Sequence, residues 1–458
     1  MKKYFIVAMA ILATLVSCNN GGDGADLGNV YADDPYMAGK LDMFNQTPLS
    51  YNDIVMFGDD WLDLGEWRAF FGGTKISNRG IRGDKAAFLP ARTDSIASKK
   101  PLKVFVSAGA NDIRGGADAK TVQADLRKVF ARFGKLSPKT ALYYLNCVPT
   151  ADMTPAQKDE LTKLNTAMAE GAAKGKYTCI DLCSALAQGI ADGTYSWNGG
   201  KYLNGAGYEA FAKLIADAVG SQALNHAADK ESEEIEKYLE GWYGSCDPAN
   251  CMPPDYYRHK LSVFRSLPAA YNGIVMLGNS LTDFVRWEDL LPGVNVIGRG
   301  IAGDMIEGMA LRLDEVAAQR PNKVFVMAGC NNLVKHPGTD PLAVLEKNLD
   351  LVRKIHSACP LATVYVQSIL PLNPLDPACK EFNPAADKIN AALKEAAKTN
   401  DFIFIDVTAP LKDENGDLRL ECTTDGCHLN ATGYFTWATE LLQASRLMVI
   451  GDPYQNAK

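Results

Sequence analysis

The chain has 458 residues, 47% of them hydrophobic and 22% charged, and carries a formal net charge of -7. This is the make-up of an ordinary globular protein, and without a basic patch it speaks against a nucleic-acid partner. The length exceeds that of one ordinary domain, so internal repeats take precedence over any single-domain reading.

At the amino terminus, Met1-Lys2-Lys3 precedes an apolar run from Tyr4 to Val16 that closes with Leu15-Val16-Ser17-Cys18. A spanning helix needs roughly 20 apolar residues; this shorter run ends in a small residue before a cysteine and reads as a signal peptide over residues 1–18. Its last four residues resemble the lipobox of bacterial lipoproteins, in which the cysteine is lipidated and becomes the first residue of the mature chain. That resemblance implies a lipid anchor at Cys18 and a place at the bacterial cell envelope, on the periplasmic or the surface side. Several acyl chains on one residue hold firmly, since each buried methylene contributes about 0.8 kcal/mol. The polar, Gly-rich stretch that follows is expected to be a flexible tether over residues 19–35.

Setting Cys18 aside leaves an even number of the 11 cysteines in a chain that has left the cytosol, which points to some disulfide pairing. Cys246 with Cys251 and Cys422 with Cys427 are the close pairs that stand as candidates. Spacings such as Cys179-x-x-x-Cys183 lack the partner pairs and histidines of a zinc site, so neither a metal nor another cofactor is expected.

One domain is written twice. Tyr51-Asn52-Asp53-Ile54-Val55-Met56-Phe57-Gly58 returns as Tyr271-Asn272-Gly273-Ile274-Val275-Met276-Leu277-Gly278, displaced by 220 positions. At the same displacement Arg79-Gly80-Ile81-Arg82-Gly83-Asp84 returns as Arg299-Gly300-Ile301-Ala302-Gly303-Asp304, and Val104 to Asn111 as Val324 to Asn331. Further on, Leu203-Asn204-Gly205-Ala206-Gly207-Tyr208 matches Leu429-Asn430-Ala431-Thr432-Gly433-Tyr434, now displaced by 226.

Within each copy, short β-branched and aromatic runs alternate with longer stretches of helical spacing. In the second copy Ile274 to Leu277, Lys323 to Met327, Thr363 to Gln367 and Phe402 to Asp406 read as buried strands. Asp340 to Ser357 and Ala385 to Thr399 place apolar residues three and four apart, as amphipathic helices do. This alternation predicts a parallel sheet covered by helices on both faces, hence two tandem three-layer α/β/α sandwich domains. The segment 229–240 is charged and helix-forming, and 241–255 is rich in Gly, Pro and Cys, so the domain boundary is placed there. The resulting division is 36–220 for the first copy, 221–255 for a linker and 256–458 for the second copy.

Ligand-binding groups of an open parallel sheet gather outside the carboxyl ends of its strands. In the second copy the first strand runs into Gly278-Asn279-Ser280-Leu281-Thr282, which puts a hydroxyl on a tight turn at a helix start. Taken alone, Ser280 is equally a helix cap. The balance shifts at Asp425-Gly426-Cys427-His428, which holds one of only five histidines in the chain. A carboxylate three residues before an imidazole can hold its tautomer and stabilise its cation while the other ring nitrogen faces a serine.

With the strand-end serine, Gly329-Cys330-Asn331-Asn332 and the Asp-x-x-His in this order, both copies resemble the SGNH hydrolase superfamily, the GDSL-like lipases and acylhydrolases, over nearly their full length. The resemblance implies a flavodoxin-like parallel sheet and a serine-esterase mechanism. Ser280 would attack an ester carbonyl, His428 would take the serine proton and Asp425 would orient His428. The oxyanion would be held by the backbone N–H groups of Ser280 and Gly300 and by the Asn331 side chain, donors whose removal typically costs about 100- to 1,000-fold in rate. Asn279 and Asn332 stand where the commonest family pattern has Asp.

In the first copy the corresponding positions read Asp60 for Ser280, Gly199 for Asp425 and Tyr202 for His428, while Gly80 and Asn111 persist. The expectation is a catalytically dead copy that keeps the scaffold and supports the second copy or binds a sugar or peptide. Asp59, Asp60, Asp63 and Asp112 form an acidic group that stands as a rival cation or hydrolytic site, against the simpler reading of helix-start aspartates near a macrodipole. For the substrate, Gly278 to Asp283, Trp287 and Arg299 to Asp304 resemble the branch with sialate O-acetylesterases and platelet-activating-factor acetylhydrolase-like proteins. That implies a small acyl group, acetyl foremost, on a carbohydrate or other alcohol, although Trp287 also reads as core. The alternatives are a lysophospholipase or thioesterase with the same triad, and a non-catalytic surface glycan-binding lipoprotein.

Overall fold

The structure, a computed structural model, describes residues 31–445 apart from positions 48, 73, 198–199, 224–231 and 244–251. The signal peptide, Cys18, Cys246, Cys251 and Gly199 lie outside the described residues. Two five-stranded parallel sheets carry the two copies. The first contains β1 (Ile54–Gly58), β2 (Ile76–Gly80), β3 (Lys103–Ser107), β4 (Ala141–Leu145) and β5 (Thr178–Ile180), in the order β2-β1-β3-β4-β5. After the short hairpin of β6 (Ser196–Trp197) and β7 (Tyr202–Leu203), the second contains β8 (Ile274–Gly278), β9 (Val296–Gly300), β10 (Lys323–Val326), β11 (Thr363–Gln367) and β12 (Ile403–Ile405), ordered β9-β8-β10-β11-β12. The order is the same twice, and so is the register, with Gly58 opposite Gly80 and Gly278 opposite Gly300.

Alternate residues of each strand feed opposite layers, as the two-residue period of a strand requires. Val275, Leu277, Val324 and Val326 enter the core on one face of the second sheet. Ile274, Met276 and Phe325 enter the core on the other. The strand expectations hold to within a residue or two. The helix expected from Ala385 instead starts earlier and spans Cys379–Ala396 with Pro384 inside it. A proline usually opens a helix, which is why the pattern reads as starting just after it. Trp287 is core, fully buried edge-on against Trp437 at 5.0 Å. In each sheet the chain leaves β1 or β8 for one edge and then crosses to the other side, which opens a crevice at the carboxyl ends beside that strand.

Two expectations about connecting segments need correction. The tether does not run to residue 35, because Tyr31 is 2% exposed and its hydroxyl donates to Asp84 at 3.1 Å. Nor is 221–255 simply an exposed linker. Glu233–Tyr243 is a helix whose Ile235, Leu239 and Trp242 are buried, and Tyr238 donates to Asp304 of the second copy.

Each copy is preceded by a leading helix, Pro35–Gln46 and Pro254–Ser266, and ends in a closing helix, Gly205–Val219 and Ala431–Ser445. The leading helices cross over. Tyr256, Tyr257, Leu261, Val263 and Phe264 of the second leading helix belong to the first copy's core. Met43 of the first belongs to the second copy's core. Between the copies lies a buried, mirrored set of charges. Lys40 pairs with Asp63 at 3.0 Å and Lys260 with Asp283 at 2.9 Å, while Tyr36 and Tyr256 donate to the same two carboxylates. Arg286 of the second copy donates to the Asp63 carbonyl of the first. Burial alone would raise the Asp63 pKa, but Lys40 and Arg286 outweigh it and hold the carboxyl at about 2.

Candidate active site

Strand β8 is buried along its whole length and delivers Ser280 to the carboxyl edge of the sheet, as the first residue of a short helix, Ser280–Asp283. The turn must be tight. A side chain on Gly278 would meet Thr282 Oγ1 at 2.1 Å. The cap role falls to Asn279, whose side chain accepts from the Leu281 N–H at 3.1 Å, and this leaves the serine hydroxyl free for another partner. That partner is His428, whose Nε2 lies 3.0 Å from Ser280 Oγ. The other ring nitrogen, Nδ1, lies 2.7 Å from Asp425 Oδ2. Sequence reasoning thus named three residues that the fold brings into one hydrogen-bonded chain, although Ser280 and His428 are 148 positions apart.

The loop carrying Asp425 and His428 is tied down at several points. Asp425 Oδ1 accepts from the N–H groups of Cys427 and His428 at 2.9 and 2.7 Å. Thr423 Oγ1 donates to the His428 carbonyl at 2.7 Å and accepts from the Gly426 N–H at 2.9 Å. Gly426 has a φ of +91°, and a side chain there would approach the Asp376 nitrogen to 2.6 Å. Burial would raise the Asp425 carboxyl, but its bonds to His428 and the two amides bring it down to about 2. Burial likewise disfavours the His428 cation, yet Cys427, when it carries a charge, and Asp425, through its hydrogen bond and charge, outweigh it and push the imidazole up, to about 9 with both partners charged. The Cys427 thiol is itself held well above its ordinary value by its contact with Cys330 and by burial. It is therefore neutral near neutral pH, where the imidazolium is held by Asp425. Ser280 is 9% exposed and the His428 side chain 30%, so the serine is nearly buried while the imidazole stays open to solvent.

The oxyanion donors come out differently from the sequence reading. Asn331 Nδ2 donates to the Asp304 carbonyl at 2.8 Å, as its counterpart Asn111 does to the Asp84 carbonyl at 2.9 Å. Gly300 does not supply the amide. It pairs with Gly278 in the sheet, and because the Ile301 N–H bonds the Gly278 carbonyl, strand alternation turns the Gly300 N–H toward the outer edge of the sheet. Its lack of a side chain serves packing, since a Cβ would lie 2.3 Å from the Asp283 nitrogen. The first copy confirms the direction. There the Gly80 N–H donates to Asn78 Oδ1 at 2.9 Å, whereas the Gly83 N–H donates to Asp60 Oδ2 at 3.1 Å. Gly303, with φ +84°, is the counterpart of Gly83. Sequence reasoning missed it, although the glycine recurs in both copies of the repeated Arg-Gly-Ile-x-Gly-Asp segment.

In the first copy Asp60 Oδ2 accepts from both Asn111 Nδ2, at 2.6 Å, and the Gly83 amide. Tyr202 is buried in the β6–β7 hairpin and stacks 5.7 Å from His259 of the second leading helix. A cavity of about 430 Å³ remains there, lined by residues that include Asp60, Asn111, Arg114, Asp152 and Lys201. The acidic group does not converge. Asp63 faces Lys40 between the copies, and Asp112 accepts from the Ala86 and Ala87 amides at 2.7 and 3.2 Å. Asn332 accepts from the matching Ile306 amide at 3.2 Å, so Asn replaces Asp there without losing the bond. The disulfide expected between Cys422 and Cys427 is absent: both thiols are free. Cys422 is buried in the core on one side of the sheet and Cys427 packs against the core on the other, so the two sulfurs point to opposite layers.

Fold and site geometry together define an SGNH-type hydrolase scaffold, present twice. The chain belongs to the GDSL-like lipase/acylhydrolase family, whose model matches residues 57–210 and 276–434. Membership of this family points to ester hydrolysis as the class of activity. Among solved structures, a GDSL-like lipase from Bacteroides thetaiotaomicron is 25% identical, over 39% of this chain and 89% of its own, with a TM-score of 0.34. A member of the lipolytic protein G-D-S-L family from Veillonella parvula is 18% identical over 36% and 96%, with a TM-score of 0.32. The OSK domain of Drosophila Oskar is 15% identical over 39% and 90%, with a TM-score of 0.30. No curated protein matches the chain.

Proposed function

We propose that the second copy is a serine esterase that removes a small acyl group, acetyl foremost, from a carbohydrate or other alcohol. The observation that carries this reading is the unbroken chain from Ser280 Oγ to His428 Nε2 at 3.0 Å and from His428 Nδ1 to Asp425 Oδ2 at 2.7 Å. His428 takes the proton as Ser280 attacks the ester carbonyl, forming a tetrahedral intermediate, and returns it to the leaving alcohol. Water, deprotonated by the same imidazole, then cleaves the acyl-enzyme. The oxyanion is held by the Ser280 and Gly303 amides and Asn331 Nδ2, with Gly303 in the role first expected of Gly300.

The first copy is read as catalytically dead. Its Asp60 carboxylate occupies the donors that would receive an oxyanion, and Tyr202 stands at the histidine position. A lipid anchor at Cys18 would hold both copies at the cell envelope, where acylated glycans are at hand. Hydrolysis of p-nitrophenyl acetate by the full chain tests the reading, with Ser280→Ala beside it and a series of longer p-nitrophenyl esters after it. Loss of turnover in Ser280→Ala and falling rates with chain length are expected. Undiminished turnover in Ser280→Ala would overturn the triad, and rates that climb with chain length would replace the acetylesterase by a lipase-like activity.

A further inference from the structure

The two leading helices are exchanged, and the exchange reaches the active site. Asp42 of the first leading helix accepts, through Oδ2, from the N–H of Ala431 at 2.9 Å. Ala431 opens the closing helix of the second copy, three residues after His428. The helix's own cap, Asn430, reaches only further in, accepting from the Gly433 N–H at 3.1 Å. The next residue, Met43, is 6% exposed within the same core cluster as Leu281 and Leu429, the residues next to Ser280 and His428. Nearly two turns back, the Tyr36 ring meets the ring of Phe284 edge-on at 5.0 Å and 76°. Phe284 in turn lies 5.0 Å from the His428 imidazole.

The mirror arrangement exists in the first copy. Ser262 Oγ of the second leading helix accepts from the Gly205 N–H at 2.9 Å, and Gly205 opens the first copy's closing helix. His259 Nδ1 lies 2.6 Å from the Leu203 carbonyl, one residue past Tyr202. Each copy therefore has its closing helix started by a residue of the other. Only in the second copy does that helix follow a catalytic loop.

We propose that the first leading helix is a working part of the second copy's active site, with Asp42 and Tyr36 as positioning residues for His428. Asp42 holds the start of the closing helix and so the downstream end of the loop that carries the imidazole. Tyr36 backs Phe284, which forms the wall against which the ring rests. A misplacement of about 1 Å at a catalytic group can cost on the order of 100-fold in rate, so small slips at these two supports reach the chemistry. The inference rests on the triad reading given above.

The test uses the full chain with p-nitrophenyl acetate and a fluorophosphonate that labels the reactive serine, at a temperature below the unfolding midpoint of every variant. Asp42→Ala is expected to lower kcat and the labelling rate by about tenfold or more while KM stays within about twofold. Asp42→Asn keeps an acceptor oxygen and is expected to restore both. Tyr36→Phe keeps the ring and should stay near wild type, whereas Tyr36→Ala should fall like Asp42→Ala. Ser262→Ala removes the mirror cap from the copy without a triad, and its kcat is expected to stay within about twofold of wild type. A merely structural cap would make Ser262→Ala and Asp42→Ala behave alike, and that result overturns the proposal. So does wild-type kcat in Asp42→Ala and Tyr36→Ala. If Asp42→Ala does not fold, Asp42→Glu, which displaces the acceptor by one methylene, carries the same expectation and the same refutation. Ser280→Ala run in parallel separates the two readings: full activity there removes the triad, while its loss beside an unaffected Asp42→Ala removes only the positioning role.

Discussion

Replacing Asp425 by Asn probes the site at its most sensitive joint. The carboxylate accepts from His428 Nδ1 at 2.7 Å through one oxygen and from two backbone amides through the other. An amide can keep the second set of bonds but cannot both accept from Nδ1 and neutralise an imidazolium. Two effects follow. The imidazole loses the tautomer that leaves Nε2 free to take the Ser280 proton, a change expected to cost about four orders of magnitude in kcat by analogy with the serine-protease triad. The cation also loses its partner, while burial continues to disfavour it, so the imidazole pKa drops from its raised position of up to about 9 toward or below 6.5. The sign is fixed by the chemistry. The free base is the active form, so wild-type kcat/KM rises with pH through the His428 pKa, with a midpoint above 6.5 and no higher than about 9. Cys427, neutral over that range, adds little to the midpoint. In Asp425→Asn the residual activity should level off at lower pH than in the wild type. A pH–rate profile of both proteins on one substrate settles the matter. A rate loss below about tenfold, or a midpoint that does not move, would refute the reasoning and leave Asp425 as a loop brace.

Asn331→Ala removes one oxyanion donor and should cost about 100- to 1,000-fold in kcat with KM little changed, measured by steady-state kinetics. Gly426→Ala forces a side chain into a φ of +91° and against the Asp376 nitrogen; about 1–3 kcal/mol of strain and a fall in kcat are expected, read by denaturant unfolding and turnover. Asp63→Ala leaves Lys40 and Arg286 as buried cations without their carboxylate, which should cost about 3–5 kcal/mol in the same unfolding assay. Asp60→Ala strips the partner from the Gly83 amide and one partner from Asn111, so it should destabilise by about 1–3 kcal/mol and leave ester hydrolysis unchanged.

The duplication, the parallel sheets and the Ser280, Asp425 and His428 set were legible because each leaves a local trace: a run repeated at constant displacement, a buried strand ending in a tight turn, a carboxylate three residues before a histidine. What failed to show depends on direction. Nothing in Arg79 to Asp84 says which glycine turns its N–H toward position 60; that Gly83 rather than Gly80 does so follows only from the pairing of β2 with β1 and from the positive φ of Gly83. Five positions separate Cys422 from Cys427, a spacing open to a disulfide, yet the loop between them crosses the end of the sheet and sends the sulfurs to opposite layers. The exchanged helices were invisible for a related reason. An apolar helical face carries the same pattern whichever copy it covers, and the two copies present closely similar faces.

The first copy's surviving glycine and asparagine take on a different meaning in this light. Residues kept after a triad has gone are easily read as relics of catalysis, but Gly83 and Asn111 are fully employed as donors to Asp60. The Asp60 carboxyl at the serine position accepts the hydrogen bonds that, in an active copy, a passing oxyanion would accept. The donors thus stay satisfied with no substrate present. The first copy's contact surface carries Lys40, Asp63 and the leading helix whose Asp42 starts the helix behind His428. On the proposed reading the first copy acts through its outside, which is where the mirrored buried charges lie.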